Sequence, residues 1–425
     1  MNISLKQPTF AASVAAPTSK SAAHRALIAA AFADAPTRMH LSGAGEDIAA
    51  TCRVLAAFGA DIKHTDMGDG RQILEITPIK VPASAPVGDC GESGSTLRFL
   101  VPVAGALGLD ATFLRRGRLP LRPMTPLTDE LSRHGVTCRD NPDGSLSVSG
   151  QLQAGDFTLP ADISSQYVTG LLFALSLLDQ PSTLTLTGKI ESAPYIEMTL
   201  RALAAFGAAP AVENGRVFRV AGRASAPLTP PQELLPEGDF SGAAFPLAAG
   251  ALGAHPVTVT GLDLESAQGD RAILDLLARF GARVTTDATS ATVSPAPLYG
   301  ITIDAEQIPD LVPILAVVAA GAVGETVIRG AARLRLKESD RIETTAAMLR
   351  ALGGDVITTD DGLVIRGGAP LTGGVVDGAG DHRIVMSAAV AALLADGTVE
   401  IRGAEAVAKS YPEFFHDAIT HGKEC

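Results

Sequence analysis

One phrase recurs along this chain: a leucine-rich helix end, a glycine, then a β-like segment. It reads LAAFGADIK to Lys63, LSRHGVTCR to Arg139, LAAFGAAPAV to Val212, LARFGARVTT to Thr286 and LRALGGDVITT to Thr359. A weaker copy, FFHDAITHG, closes at Gly422. The glycines are Gly59, Gly135, Gly207, Gly281, Gly353 and Gly422, with intervals of 76, 72, 74, 72 and 69 residues by subtraction. Glycine adopts at little cost the left-handed backbone that ends a helix, after which the chain leaves as a strand. Near-equal spacing over six copies predicts six similar units. At roughly seventy residues each is longer than a solenoid repeat and must hold several strands with one or two helices.

The flanking segments agree. SAAHRALIAAAFA reads as a helix, whereas STLTLTG and HPVTVTG alternate as strands do. Three units per domain give a two-domain α/β protein, and the Pro-rich connection APLTPPQELLPEG sets the seam near Gly238. A length of 425 residues suits two or three domains. With 46% hydrophobic and 19% charged residues, the chain is too apolar for disorder. Aromatics are only 4% and Trp is absent, so the packing falls to small and branched side chains. A net charge of −12 argues against a nucleic-acid or anionic-membrane surface. Cys52, Cys90, Cys138 and Cys425 form no CxxC pair, so neither a zinc site nor a disulfide framework is expected. The start, MNISLKQPTF, has no apolar signal region. The longest apolar run, near Pro313–Gly324, falls short of the about 20 residues a membrane span takes. The expectation is a cytoplasmic protein.

Several segments carry candidate chemistry. PTSKS opens a helix on which Ser21 and Arg25 share a face, so Lys20, hydroxyls, backbone amides and Arg25 converge on an anion. In CGESGSTLRFL, Gly91 and Gly94 let a ligand approach the backbone. RRGRLPLRPM sets four arginines within eight residues of an acidic chain, and their forks match phosphate and carboxylate oxygens. ISSQY, with Ser192 and Tyr195 downstream, offers neutral hydrogen-bonding groups. In LRLKESDRIETTAAML, Asp340 and Glu343 form a capping pair, and Glu338 between Lys337 and Arg341 is a candidate proton carrier. Asp310, the run Asp381-His382-Arg383, and Lys409 complete the set. Each segment alone reads equally well as a cap, a turn or a solvated charge.

Their order and spacing together resemble the enolpyruvyl transferases, in the branch that takes shikimate 3-phosphate as acceptor. The resembling motifs are SKSAAHRAL, CGESGSTLR, LPLRPM, ISSQY, SAPYI, EGD, IPD, LKESDR, DHR and AKSYP, spread from Lys20 to Pro412. The resemblance implies a two-domain inside-out α/β barrel, each domain three βαβαββ repeats. It implies domains of residues 19–238 and of 1–18 plus 239–425, because the hinge is crossed twice. The implied reaction moves the enolpyruvyl group of phosphoenolpyruvate to the 5-hydroxyl of shikimate 3-phosphate through a tetrahedral intermediate, as the lobes close. No cofactor and no metal are implied, and the protein is read as a monomer with two small-molecule partners, without nucleic acid or membrane.

Carried over position by position, the resemblance makes Asp310, Glu338 and Lys20 catalytic. Lys20, Ser21 and Arg25, then Ser164, Ser165 and Gln166, and Ser192, Tyr195, Asp310 and Lys337 become shikimate 3-phosphate contacts. Lys20, Gly94, Arg122 and Gln166, with Arg341, Arg383 and Lys409, become phosphoenolpyruvate contacts. Four positions depart from the commonest family pattern: Thr18, Glu92, Ser95 and Phe99. The sister transferase acting on UDP-N-acetylglucosamine resembles this chain in fold and donor. It uses a loop cysteine and an N-terminal Lys-Asn, whereas here the loop lacks Cys and the start reads Ser-Lys-Ser.

Overall fold

The computed structural model describes residues 1–68 and 70–424. Cys425 lies outside the described residues. The chain divides into two compact units, Lys20–Pro236 in one, and Met1–Ser19 with the residues from Glu237 onward in the other.

The Lys20–Pro236 unit holds helices α1 (Lys20–Ala31), α2 (Glu46–Phe58), α3 (Gly94–Ala106), α4 (Leu127–Arg133), α5 (Ser165–Leu177) and α6 (Ala193–Ala205). The other unit holds α7 (Phe240–Leu252), α8 (Ile273–Phe280), α9 (Val312–Gly321), α10 (Arg341–Ala351), α11 (His382–Ala391) and α12 (Phe414–Asp417). Each unit carries three four-stranded sheets. The second repeat shows the plan. Val87–Asp89 runs parallel to Ala111–Leu114, which pairs antiparallel with Leu146–Gly150, and Val136–Asp140 forms the edge. A parallel pair needs a crossover, and α3 supplies it.

Helix composition decides what lies inside. The sequence of α9, VPILAVVAAG, is apolar around its whole circumference, and such a helix is stable only when surrounded. Nearly all of α3, α5, α7, α9 and α11 is buried. Strands such as Thr37–Ser42 alternate buried and less buried residues, so one sheet face looks inward. Helices therefore fill the interior and sheets form the outside, an inside-out α/β barrel in each unit.

Small residues let the inner helices approach. A Cβ at Gly170 on α5 would meet the Arg98 carbonyl oxygen and lie 3.0 Å from the Phe99 Cα on α3. Backbone cannot move aside as a side chain does. Gly170→Ala is expected to destabilise the protein by about 1–3 kcal/mol, the range for overpacking a tight core. Urea unfolding checks this, and an unchanged midpoint would show that α3 and α5 part freely.

Five of the six glycines end helices in the left-handed region: Gly59, Gly135, Gly207, Gly281 and Gly353, with φ between 79° and 118°. The sixth glycine differs. Gly422 has positive φ but lies inside the strand Ile419–Glu424. The short last interval has a topological cause. The last sheet is completed by Asn2–Phe10, which inserts antiparallel between Val399–Arg402 and Ile419–Glu424. The Pro-rich run read as a connection also carries structure: Glu233–Leu234 pairs parallel to Arg38 and Met39 and completes the first sheet. Ser13–Ala15 does the same beside Val257–Thr260. No helix among the described residues is long and apolar enough to cross a membrane.

Candidate active site

In the Lys20–Pro236 unit, α1 begins at Lys20, where the helix dipole disfavours a cation. Its ammonium lies 2.8 Å from an Asp47 carboxylate oxygen on α2. One turn on, Arg25 is almost fully buried, and its hydrogen-bond acceptors are all neutral. Nε donates to Thr199 Oγ1 at 2.9 Å, Nη1 to the Ser21 carbonyl at 2.7 Å, and Nη2 to the Tyr195 carbonyl at 2.8 Å and Thr169 Oγ1 at 3.2 Å. Burial pushes its pKa down to about 10. A buried guanidinium among neutral acceptors is a cation whose field is left for an anion. Ser192, at the start of α6, is buried in the left-handed region at φ 55°, a conformation costing of order 1–3 kcal/mol outside glycine.

A second set forms around α3. Ser93 caps the helix, its Oγ accepting from Thr96 N at 3.2 Å. A Cβ at Gly94 would lie 2.7 Å from Arg122 Nη1 and 2.8 Å from Arg98 Nη1. Two guanidiniums thus sit over the first residue of a helix, an arrangement suited to an oxyanion. Gln166 joins them: its Oε1 accepts from Arg98 Nη1 at 2.9 Å and its Nε2 donates to Ser95 Oγ at 2.9 Å. Ser164 caps α5 through Gln166 N at 3.3 Å, and Ser165 is buried as the first residue of that helix. Glu92 turns toward Gly117 in the arginine loop, where any side chain would collide with its carboxylate.

The other unit gathers charge. Asp310 contacts three cations: Arg341 Nη1 at 2.7 Å, Arg383 Nη2 at 3.2 Å and Lys337 Nζ at 3.5 Å. Burial alone would raise its pKa, but Arg383, Lys337 and Arg341 overcome burial and hold it well below the usual carboxylate range. Arg341 also meets Glu338 Oε2 at 2.7 Å and Asp381 at 2.8 Å. Asp381 caps α11 through Arg383 N at 3.0 Å while holding Arg341, so the cap and the ion pair are one side chain. Asp340 caps α10 through Glu343 N at 3.2 Å, but the Glu343 side chain leaves the capping pair for Arg335 at 3.2 Å. Lys409 donates to the Gly380 carbonyl at 2.6 Å.

Lys20, Ser21 and Arg25 are thus grouped on one helix, Gly94, Arg122 and Gln166 in one cradle, and Asp310, Lys337, Glu338, Arg341 and Arg383 in one cluster. Tyr195 accepts from Arg25 through its backbone carbonyl. Asp47, Arg98, Thr169, Thr199 and Asp381 escaped the sequence reading as partners. The Thr side chains carry no motif, and nothing local to CGESGSTLR marks Arg98 as a partner of Gln166.

Comparison with known proteins bears on this geometry. The family model described as EPSP synthase (3-phosphoshikimate 1-carboxyvinyltransferase) matches residues 6–418. The chain belongs to the EPSP synthase family. The 3-phosphoshikimate 1-carboxyvinyltransferase of Halobacterium salinarum is 41% identical, with 94% of each chain covered. That of Clostridium novyi is 37% identical over 94% of this chain and 93% of its own. A solved EPSP synthase of Acinetobacter baumannii superposes with a TM-score of 0.80 at 27% identity, covering 100% of both chains.

Proposed function

We propose that this chain transfers the enolpyruvyl group of phosphoenolpyruvate to the 5-hydroxyl of shikimate 3-phosphate, releasing inorganic phosphate. It acts as a cytoplasmic monomer without a cofactor. The observation that carries the reading is the part-buried cluster around Asp310, two candidate proton carriers held among three cations. Both reactants are polyanions and repel each other until cations screen them. Lys20, Ser21, Arg25, Ser164, Ser165, Ser192, Tyr195 and Lys337 are assigned to the acceptor. Gly94, Arg122, Arg341, Arg383 and Lys409 are assigned to the donor, and Gln166 and Lys20 to both.

In the addition step the 5-hydroxyl oxygen bonds to C2 of the donor, its proton leaves, and C3 gains a proton to become a methyl group. In the elimination step that methyl loses a proton and the C2–O bond to phosphate breaks. Asp310 serves the hydroxyl and Glu338 the carbon, with Lys20 assisting. Substrate binding itself makes Asp310 a competent base: once the donor's anionic groups occupy Arg341 and Arg383, the carboxylate loses the partners that suppress its basicity.

Phosphate release from phosphoenolpyruvate with shikimate 3-phosphate present tests the reading. UDP-N-acetylglucosamine in place of the acceptor should give none, and turnover with that acceptor alone would replace the proposal by the sister activity. Arg25→Met is expected to raise the acceptor KM by about 10–100-fold, the worth of a charge-assisted hydrogen bond set, with a smaller effect on the donor KM. An unchanged acceptor KM would remove Arg25 from the acceptor site.

A further inference from the structure

Within the electrostatic reach of Asp310 lies a buried carboxyl with no part in the proposed reaction. Asp270 sits in the turn Gly269–Ala272 and is 2% exposed. Its Oδ2 accepts from Ser241 Oγ, and its Oδ1 has no hydrogen-bond partner among the described residues. A carboxylate ion with one oxygen unpaired in the interior is costly, whereas the neutral acid is far less so. The surroundings increase that cost. Asp239, the cap of α7, and Asp310, in the turn Pro309–Leu311, present negative charge, and Arg383 from α11 is the cation that opposes them. Neighbouring Arg271 turns away to the Leu264 carbonyl at 2.6 Å, while Asp275 and Arg279 on α8 are exposed.

We propose that Asp270 is carried as a neutral acid near Asp310, and that its ionisation limits binding of the anionic donor from the alkaline side. It is a positioning residue for the Asp310–Arg383 pair. Burial, then Asp310, raise its pKa to about 7, against the opposing pull of Arg383 and Ser241. Asp310 is driven the opposite way and stays ionised, so its charge stands against ionisation of Asp270. While Asp270 is neutral, Arg383 serves Asp310 and the incoming anion. Once Asp270 ionises, a second carboxylate competes for Arg383 and repels the donor.

The assignment of Arg383 to the donor belongs to the proposed function, so the first test uses no substrate. An acid whose folded pKa is raised contributes stability below its unfolded pKa, near 4, and loses it as pH climbs through the folded pKa. The unfolding midpoint of wild type is therefore expected to fall relative to Asp270→Asn between pH 5.5 and 8.5. An equal gap at both pH values would overturn the proposal. With substrates, the donor KM of wild type should rise about tenfold per pH unit above 7, as for one ionisation, while kcat changes less. In Asp270→Asn the rise should be absent. Ser241→Ala removes a donor that favours the ion, so it should move the same rise to higher pH while keeping Asp270 in place. It also serves if the Asn variant does not fold. A rise that persists in Asp270→Asn, or does not move in Ser241→Ala, would refute the role. A stability gap without the KM effect would overturn the link to donor binding.

Discussion

Glu338→Gln is expected to lower turnover by about a thousandfold, within the usual worth of a positioned general acid–base group, while the fold persists. Gln keeps the size of the side chain and an oxygen able to accept from Arg341 Nη2, now 2.7 Å from Glu338 Oε2. It cannot take or return a proton at neutral pH. The substitution therefore separates holding Arg341 from moving a hydrogen. The donor KM should change little if Arg341 stays in place. The hydrogen in question is identified by isotope: in deuterium oxide the wild type should place deuterium in the vinyl group of product and recovered donor, because C3 is protonated and deprotonated in successive steps. The variant should lose this incorporation along with turnover. Normal incorporation with slow turnover would move the carbon proton to another group and leave Glu338 as a holder of Arg341. Near-normal turnover would remove it from the chemistry.

Much of this architecture was legible because the signals are local. A glycine such as Gly59 or Gly281 announces its left-handed backbone within one helix turn. The sixth copy failed because its glycine sits in a strand whose neighbour, Asn2–Phe10, is some four hundred residues away in sequence. Pairing at that separation leaves no periodicity to read. The same division runs through the site. Lys20, Arg122, Asp310 and Glu338 stand in charged motifs that are scarce in a chain with only 19% charged residues. Thr169 and Thr199 become acceptors for Arg25 only when α5 and α6 pack against α1, and neither has a sequence signature. Asp381 was readable as a cap and is one, but its second bond, to Arg341, spans 40 positions. Asp270 is the extreme case: its setting comes from Asp239 and Ser241 at the start of α7, Asp310 in a turn and Arg383 on α11, all distant in sequence.

Arg341→Met should destabilise the protein by about 3–5 kcal/mol at neutral pH, the cost of removing one partner from a buried ion-pair network. The guanidinium is 2% exposed and bridges Asp310, Glu338 and Asp381, so its loss leaves three carboxylates facing one another. Arg383 and Lys337 still hold Asp310, whereas Asp381 is left with the Ser339 hydroxyl at 2.9 Å and the His382 ring at 3.9 Å. The pH dependence identifies the cause. In wild type, burial raises the Asp381 pKa, yet the Arg341 charge outweighs it and depresses the group. An acid depressed on folding contributes stability above its unfolded pKa and loses it as pH falls through the folded value. Without Arg341, that depression goes, and protonation relieves the repulsion instead. Wild type should therefore exceed the variant most at pH 7, and the gap should narrow as pH falls below about 4, where free carboxyls titrate. Guanidinium unfolding at the two pH values measures it. A gap of constant size would mean that the lost stability is packing, not charge. Arg341→Lys refines the answer, since a single ammonium lacks the fork that reaches three carboxylates at once. It should recover only part of the stability, and the donor KM should remain raised, because the anion and the carboxylates then compete for one point charge.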